Sequence, residues 1–416
     1  MKLKNYLIMI VVLTFVFLAA CSAGSDEASG SGDGEKEISF IHWRGEDKEV
    51  FDELITKFEE ENPDITVEMT IYPSEQYQST AQTQIRDGEV GDVFTSFPGA
   101  QFKIMDKAGL MEDLSGEGFL DNFNKDLIEA GQKDGKQFAV PYQLVFNQPV
   151  YNKGLFEELG IEPPNDWEGF LAMNEKLKEN GYTPIAFPGA DIGAGQLMNS
   201  MMMNNAPDEE IFTKLENGET KLTDEWWVKT LTQFKELADK DYFQKDSLGT
   251  KHDGAIALMA QEKAGMLASG SYAMASIKEQ NPDMELGLLA PITVSADEAE
   301  YEGIHTTTFM LAVNSNSDSK PEAKKFIEFL SQKENAEKYA NETGQHLTVN
   351  DLEYESEELK STAHWMEKNT RFHPRYLISS ADIQKAVEAS IQAVIGGQDP
   401  EQAAKEAQQV VDQFVE

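Results

Sequence analysis

Strand and helix patterns alternate through residues 38–97, and this alternation restricts the chain to a small set of folds. Residues 38–42 form a short apolar run, and apolar side chains then recur at helical spacing over 51–58. Residues 65–71 alternate apolar and polar side chains, residues 77–85 fit a second helix, and residues 92–97 fit a third strand. The order β-α-β-α-β predicts an α/β fold with a parallel sheet covered by helices.

The ends of the first and third strands are the predicted place for a ligand. In parallel sheets, ligands bind beyond the carboxyl ends of the strands. Here those ends carry His42, Trp43 and Arg44 after the first strand, and Phe97 and Pro98 after the third. Aromatic side chains beside turn residues suit a site that stacks on sugar C–H faces or caps a cation.

The remainder of the chain is predicted to be more helical. Met201, Met202 and Met203 are expected in a buried helix, because methionine fills irregular core gaps, and not in a metal site. Strands are predicted at 286–289 and 306–313. Further helices are predicted at 167–177, around Trp227, and at 321–330, 334–341, 383–395 and 401–414.

The amino terminus reads as a secretory signal. Lys2 and Lys4 precede a 15-residue apolar run that ends at Ala20, and Cys21, the chain's single cysteine, follows directly. The run is too short for a permanent membrane span, which needs about 20 residues. We therefore expect residues 1–20 to be a lipoprotein signal peptide and Cys21 to be lipidated, which would anchor the chain at the extracytoplasmic face of the cell membrane. An ordinary signal peptide with an incidental free cysteine is the alternative.

Residues 21–37 are predicted to form a flexible tether after the anchor. The segment following Cys21 consists of Ser, Gly, acidic residues and little else, so it cannot bury a core. Such a coil spans roughly 20–24 Å between its ends. No other cysteine is present for a disulfide, and the body beyond the tether is large enough for two domains.

The chain is strongly acidic, with 35 Lys and Arg against 74 Asp and Glu and a formal net charge of −39. This surface repels nucleic acid and anionic lipid headgroups, so no nucleic-acid partner is expected and membrane contact is left to the anchor. The acids are spread through the predicted helices. That distribution favours a solvated surface suited to salt or alkaline surroundings over a dedicated cation-binding motif.

The sequence has no recognisable catalytic motif. It lacks Gly-x-Ser-x-Gly, a P-loop, a dinucleotide-binding glycine pattern and His-Glu-x-x-His, and its six histidines show no metal-ligand spacing. The prediction is that the protein is not an enzyme and needs neither cofactor nor metal. A glycosidase argument from carboxylates alone is empty, because 74 acids always supply a pair.

Several segments, taken in order, resemble the extracellular solute-binding proteins of ABC importers, in the sugar-binding family (family 1) that includes maltose-binding protein. Each segment matches the family only loosely on its own, but the order and spacing of the segments are specific. They lie at 40–69 (beginning FIHWRGEDKEVF), 88–114 (GEVGDVFTSFPGAQF), 136–177 (KQFAVPYQLVFNQPVYNKGLF), 263–292 (KAGMLASGSYAMASI), 306–339 (TTTFMLAVNSNSDSKPEA) and 391–409 (IQAVIGGQDPEQAAKEAQQ).

The resemblance implies a two-lobe, periplasmic-binding-protein-like fold with mostly parallel sheets, helices around them and a ligand cleft between the lobes. The first lobe would hold residues 38–146 plus 287–313, and the second 147–286 plus 314–416. Crossings between the lobes would lie near 144–148, 284–287 and 314–320. The cleft would close by a hinge motion, and the loaded monomer would dock onto the transmembrane permease of an ABC importer.

The resemblance also assigns candidate ligand-binding residues. The loops after the first and third strands supply Trp43, Arg44 and Glu46, and Phe97, Pro98 and Gln101; the Pro-Tyr motif at the crossing supplies Tyr142 with Pro141 and Gln143. At Tyr272 the family usually has a tryptophan. The other segments that face the cleft in relatives contribute His305 to Thr307 and Arg371 to Tyr376 with His373. Apart from the resemblance, Trp226 and Trp227 are adjacent on a helix, so at most one of them, with Trp227 as the candidate, would face the cleft, and the glycine-rich loop with Asp191 and Gln196 could reach a ligand.

Structural roles are the alternatives to ligand contact. Arg44 could pair with Glu46, and the aromatic residues could pack in the core. A sugar or oligosaccharide is the favoured solute. A polyamine or quaternary ammonium compound, held by aromatics and acids, and a sugar phosphate, held by Arg44 or Arg371, stay open. From other classes, a secreted glycan-active enzyme and a cell-surface adhesion module are the rivals.

Overall fold

The structure, a computed structural model, describes residues 36–86 and 90–415. The predicted signal peptide, the lipid attachment at Cys21 and most of the predicted tether lie outside the described residues. Within the described part of the chain, no helix is both long and apolar enough to cross a membrane.

Thirteen strands are present in the described ranges. They are β1 Lys36–His42, β2 Ile65–Ile71, β3 Val93–Ser96, β4 Gln132–Lys133, β5 Lys136–Gln137, β6 Val140–Phe146, β7 Val150–Asn152, β8 Thr183–Ala186, β9 Ala264–Leu267, β10 Leu286–Leu288, β11 Gly303–Val313, β12 His346–Leu347 and β13 Thr370–Phe372.

Fifteen α-helices accompany these strands in the part of the chain that the structure describes. They are α1 Lys48–Glu61, α2 Ser74–Ile85, α3 Ala100–Lys107, α4 Lys153–Leu159, α5 Trp167–Glu179, α6 Gly193–Met202, α7 Ile211–Glu216, α8 Glu225–Asp239, α9 His252–Ala260, α10 Met274–Gln280, α11 Lys320–Ser331, α12 Lys333–Thr343, α13 Glu357–Thr362, α14 Ala381–Ile395 and α15 Pro400–Val411. Short 3₁₀ turns lie at Gly118–Asn122, Glu129–Gly131, Ser247–Gly249, Ser271–Ala273, Ala363–Glu367 and Pro374–Leu377.

The first sheet has the strand order β12-β6-β11-β3-β1-β2, with β13 paired to β11. Strand β1 pairs in parallel with β2 and β3, as the β-α-β-α-β pattern predicts. Strand β11 runs antiparallel to both β3 and β6. The sheet is therefore mixed and not mostly parallel. The reason is that β6 carries the chain out of the first sheet and β11 brings it back, so the two run in opposite directions.

The second sheet has the order β10-β7-β9-β8, and the hairpin β4-β5 stands apart from both. Only β8 and β9 pair in parallel there. Strand β7 is antiparallel to β10 and to β9.

The helices that cover the first sheet share one apolar core with it. Helix α1 turns Phe51, Leu54 and Phe58 inward, and all three are fully buried. The apolar cluster that contains them also contains Phe326 of α11 and Tyr339 of α12. Residues 320–343 thus pack on the first sheet, whereas the sequence interpretation had placed 314–416 with the second lobe. The turn after β11 is short and returns the chain onto the sheet it has just left.

The core of the second sheet gathers the helices that follow it and the last two helices of the chain. Every residue of α6 is buried, Met201 and Met202 among them, and Met203 directly after it is buried too, as the sequence predicts. Trp227 of α8 and Val387 of α14 lie in the same apolar cluster as Met201 and Met202.

The chain passes between the two sheets at three places. Residues 147–149 join β6 to β7, and residues 289–302 join β10 to β11. The third passage follows β13, since Leu377 and Ile378 already pack with the second core. The crossings that the resemblance implies, near 144–148, 284–287 and 314–320, stay predictions of where the two lobes meet.

Candidate functional site

The loop after β1 and the turn after β3 bring two aromatic rings together. The rings of Trp43 and Phe97 stack with centroids 3.7 Å apart at 18°. The Trp43 ring also contacts Phe309 of β11, 5.2 Å away, and Tyr77 of α2, 5.3 Å away. Trp43 and Phe97 are half-buried, so this stack is a platform with an accessible part.

Arg44 is held in place by a buried network. Its guanidinium donates two hydrogen bonds to the Asp47 carboxylate and lies 3.3 Å from a Glu46 carboxylate oxygen. The Tyr339 hydroxyl donates to the same Asp47 carboxylate, and the Gln143 amide donates to the Tyr339 hydroxyl. Burial opposes the charge of Arg44, but Asp47 and Glu46 outweigh it and hold the pKa of Arg44 above its ordinary value.

The turn after β3 and the start of α3 contain Gln101, whose amide nitrogen lacks a partner in the described structure, and Gly99, which approaches Tyr376. Gln101 accepts a hydrogen bond from the Phe97 backbone N–H (2.8 Å) through its Oε1 atom, which leaves its Nε2 amide buried and without a partner among the described residues. Gly99 has φ of +79°, and a Cβ atom there would collide with the backbone carbonyl of Tyr376. Tyr376 directly precedes Leu377, which packs with the core of the second sheet. Gly99 therefore permits a close approach between the two halves of the molecule, the one built on the first sheet and the one built on the second.

The second half presents a chain of hydroxyl groups. The Ser269 hydroxyl donates to the Tyr272 hydroxyl (2.9 Å), and His252 Nε2 lies 3.0 Å from the Ser269 hydroxyl. Asp191 accepts the backbone N–H of His252 (2.9 Å). Burial lowers the pKa of His252, while Asp191, Asp253 and Glu46 oppose that shift. Of these acids, Glu46 belongs to the loop after β1.

Arg375 closes the far end of the site. Its Nε atom donates to Glu388 (2.6 Å), and its backbone N–H donates to the Asn199 side chain (3.0 Å). Burial raises the pKa of Tyr272, and Arg375 and Arg44 act against that shift from opposite halves. Tyr272 therefore lies within electrostatic range of both arginines.

Three further amides at this junction have a buried atom without a hydrogen-bond partner among the described residues. These atoms are Oε1 of Gln196 in α6, and Nδ2 of Asn147 and Nε2 of Gln148 in the first passage between the sheets. Gln196 directly follows Gly195, against which Arg375 packs, and Asn147 lies against Gly270, two residues before Tyr272. Together with Gln101 they give the site buried donors and a buried acceptor from both halves.

Three candidate ligand-binding residues are in the cores instead. Tyr142 is fully buried and donates its hydroxyl hydrogen to the Leu330 carbonyl (3.0 Å). Trp227 is fully buried and donates to Ser390 (3.2 Å); its neighbour Trp226 is buried in the same core. Arg371 is fully buried and donates to backbone carbonyls of residues 203, 206 and 208 just beyond α6. The Tyr142 hydroxyl and the Trp227 indole N–H bond to protein, and of the Arg371 guanidinium only the Nε atom lacks a partner among the described residues. We therefore leave these residues out of the site.

Histidines 305 and 373 occupy the border of the site. His305 is half-buried and its Nδ1 atom lies 3.0 Å from the Thr370 hydroxyl. His373 is fully buried beside Asn199 (2.9 Å), and burial holds its pKa well below the ordinary value. Thr307 is buried within β11. These contacts do not place His305, His373 or Thr307 on the platform formed by Trp43 and Phe97.

Sequence reasoning did not single out His252, Ser269, Asn147 or Glu388. Asn147 could have been found, because it falls within the predicted crossing at 144–148 and crossings line the junction. His252 and Ser269 carry no local signal, since they meet only through the packing of α9 against the second sheet. In the described ranges, no group of His, Cys, Asp or Glu side chains is arranged to hold a metal ion.

Comparison with known proteins places this geometry in a family. The model of the bacterial extracellular solute-binding protein family matches residues 44–337. The chain is 28% identical over 360 residues to the multiple sugar-binding protein of Streptococcus mutans, covering 83% of this chain and 82% of that protein. It is 24% identical over 355 residues to the melibiose/raffinose/stachyose-binding protein MelE of Bacillus subtilis, covering 82% and 80%.

Solved structures agree on the fold. The solute-binding protein RafE in complex with raffinose superposes with a TM-score of 0.79 at 21% identity, covering 91% of this chain and 99% of that one. A chitin oligosaccharide binding protein superposes with a TM-score of 0.80 at 20% identity, covering 90% and 98%. These are two-lobe solute-binding folds, and the family consists of non-catalytic receptors. The chain therefore belongs to the bacterial extracellular solute-binding protein family.

Proposed function

We propose that this protein is a lipid-anchored receptor that captures a sugar or oligosaccharide between its two halves and delivers it to the permease of an ABC importer. Relatives named for sugar binding support the solute class. The loop after β1, the turn after β3 and the Tyr272 segment would form the walls of the cleft.

The unpartnered buried amides carry this proposal. The Nε2 atom of Gln101 and the Nδ2 atom of Asn147 are donors, and the Oε1 atom of Gln196 is an acceptor. Leaving such a group unsatisfied costs about 1–3 kcal/mol. A sugar hydroxyl both donates and accepts, so it can satisfy all three. An ammonium group only donates and an ionised phosphate only accepts.

The charges at the site favour a neutral solute. Arg44 is neutralised by Asp47, and Arg375 by Glu388. A sugar phosphate would have to compete with these carboxylates for an arginine. A polyamine would have to draw Glu46 or Asp191 from contacts they already make with Arg44 and with the backbone N–H of His252. The stacked Trp43 and Phe97 rings and the half-buried Tyr272 ring provide surfaces of the kind that pack on sugar C–H groups.

Calorimetric titration of the full-length chain in detergent tests the solute class. The panel holds melibiose, raffinose and stachyose, with spermidine and glycerol 3-phosphate as the rival chemistries. Gln196→Leu keeps the side-chain size and removes the amide, so sugar affinity should fall about tenfold or more. Gln409→Leu on the exposed face of α15 is the matched control. Binding of spermidine or glycerol 3-phosphate without any sugar would overturn the proposal.

The lipid anchor is tested separately. Cys21→Ser removes the thiol that would carry the lipid, so the protein should move from the membrane fraction to the soluble fraction. Retention of the variant in washed membranes would contradict the anchor and leave sugar binding untouched. Sugar turnover is not expected, because the family is non-catalytic.

A further inference from the structure

A second recess lies at the passage between β10 and β11, apart from the residues of the candidate site. Its volume is about 480 Å³, and residues 287–290 and Ile292 are part of its lining. One wall comes from Tyr151 and Lys153 with residues 163–165, and the other from residues 361–368. A recess of this size is within the usual range for a small-molecule site.

Aromatic rings line both walls of the recess. Tyr151 stands on one side, and Tyr301 and Trp365 complete the lining. Lys368 lies 5.1 Å from the Trp365 ring centroid, and the Arg371 guanidinium lies 5.5 Å from that of Tyr301. Lys368 is paired with Glu302, and Glu209, Asp208 and Glu300 act on Arg371, so neither cation is free. The lining therefore offers ring surfaces that suit a flat or ring-shaped body.

The charges of the lining do not cancel. Glu302 is the single acid among the lining residues, and Lys368 neutralises it at 2.6 Å. Lys153 has no carboxylate within ion-pairing distance in the part of the chain that the structure describes, so its ammonium is free to bind an anion.

Acids outside the lining act on its tyrosines. Burial is the largest cause of the raised pKa of Tyr151 and of Tyr301; Glu162 and Glu157 add to it at Tyr151, and Glu209 and Glu300 add to it at Tyr301. None of these carboxylates forms an ion pair with Lys153. The half-buried ammonium of Lys153 thus remains available as a donor, whereas the Ser361 hydroxyl already donates to the Glu358 carbonyl (2.8 Å) and Glu302 is already occupied.

We propose that this recess binds a small, ring-bearing organic anion, either a sugar acid or a sugar phosphate, with its carboxylate or phosphate at Lys153 and its ring on the aromatic lining. The site is independent of the sugar proposed for the cleft. Residues of the β10–β11 passage are part of its lining, so the anion would occupy the region that joins the two sheets.

Titration calorimetry of the full-length chain in detergent tests the recess with three probes. D-glucuronate represents the carboxylate, glucose 6-phosphate the phosphate, and methyl glucoside the neutral ring. At least one anion should bind, and methyl glucoside should bind at least about tenfold more weakly in the recess. Lys153→Gln should weaken anion binding by about tenfold, and raising the salt concentration should weaken it further.

Two further variants separate this site from the cleft. Lys325→Gln makes the same charge change on the exposed face of α11 and should leave anion binding unchanged. Tyr272→Ala should reduce raffinose binding and leave anion binding intact, so either proposal can fail alone. The recess proposal is overturned if neither anion binds, if methyl glucoside binds there as well as the anions, or if Lys153→Gln behaves like Lys325→Gln.

Discussion

The two walls of the candidate cleft are built in different ways. The first wall rests on a buried ion pair, in which Asp47 holds Arg44 and Tyr339 of α12 holds Asp47. The second wall rests on a chain of neutral hydrogen bonds between His252, Ser269 and Tyr272, and the Arg375–Glu388 ion pair lies only at its far end. A buried ion pair tolerates little displacement, whereas hydroxyl groups can rotate to suit a new partner. The comparison indicates a fixed platform on one side and an adjustable one on the other.

Removing the buried carboxylate should have the largest effect. Asp47→Asn leaves the buried Arg44 charge without its main partner and should lower the free energy of unfolding by about 3–5 kcal/mol. Denaturant unfolding measures this. Asp52→Asn breaks the exposed pair with Lys48 and should cost no more than about 1 kcal/mol. Equal losses in the two variants would show that the first wall is not held by its ion pair.

The contact between the walls can be blocked at a single atom. Gly99→Ala places a methyl group against the Tyr376 carbonyl, so the two halves could not reach this separation. Gly109→Ala is the matched control, because it too has a positive φ (+66°) but nothing within 4 Å of the added atom. Both should lose about 1–3 kcal/mol to backbone strain. Only Gly99→Ala should also lose sugar affinity, by about tenfold or more.

Calorimetry and small-angle scattering report on this pair of variants. With raffinose, the unmodified chain and Gly109→Ala should show the same radius of gyration, and Gly99→Ala a larger one. Unchanged affinity in Gly99→Ala would mean that the Gly99–Tyr376 approach is not needed for binding.

The adjustable wall is expected to respond more weakly. Tyr272→Phe keeps the ring and removes the hydroxyl that joins Ser269, so sugar affinity should fall by about fivefold, which corresponds to about 1 kcal/mol. Tyr354→Phe removes a hydroxyl beside His346, away from the site, and should leave affinity unchanged. A loss of sugar affinity as large as that in Gly99→Ala would show that the second wall tolerates a change no better than the first.

Acidification should give the smallest effect and acts on the second wall. Burial lowers the pKa of His252 below its ordinary value of 6.5. Above that value the histidine is neutral in both states and contributes nothing. As the pH falls below it, the unfolded chain takes up the proton first, so the free energy of unfolding decreases. His252→Gln should make this decrease shallower by up to about 1 kcal/mol between about pH 7 and 5. An identical decrease in the variant would contradict this.

Local patterns were sufficient to locate most strands and helices. The spacing of Phe51, Leu54 and Phe58 identifies one face of α1, because a helix repeats every 3.6 residues and its buried face must be apolar. The same spacing in α11 and α12 says that each has a buried face, but not which sheet covers it. That is why residues 320–343 were placed with the wrong sheet.

The part of the candidate site that directly follows the ends of strands could be predicted from the sequence. Trp43 and Phe97 were expected together, since the ends of neighbouring parallel strands share one edge of the sheet, and they stack. Tyr142, Trp227 and Arg371 look equally suitable in sequence. Their burial depends on contacts with α11, α14 and the end of α6, which lie more than 160 residues away along the chain in each case.

The position of β11 has a consequence for the order in which the chain can fold. This strand lies between β3 and β6, so the first sheet keeps an open edge at β3 until residue 313 has been made. Pairing over such sequence distances is slow, and open strand edges invite aggregation. If the predicted signal peptide exports the chain unfolded, that edge would not form in the crowded cytoplasm and the sheet would be completed outside the cell.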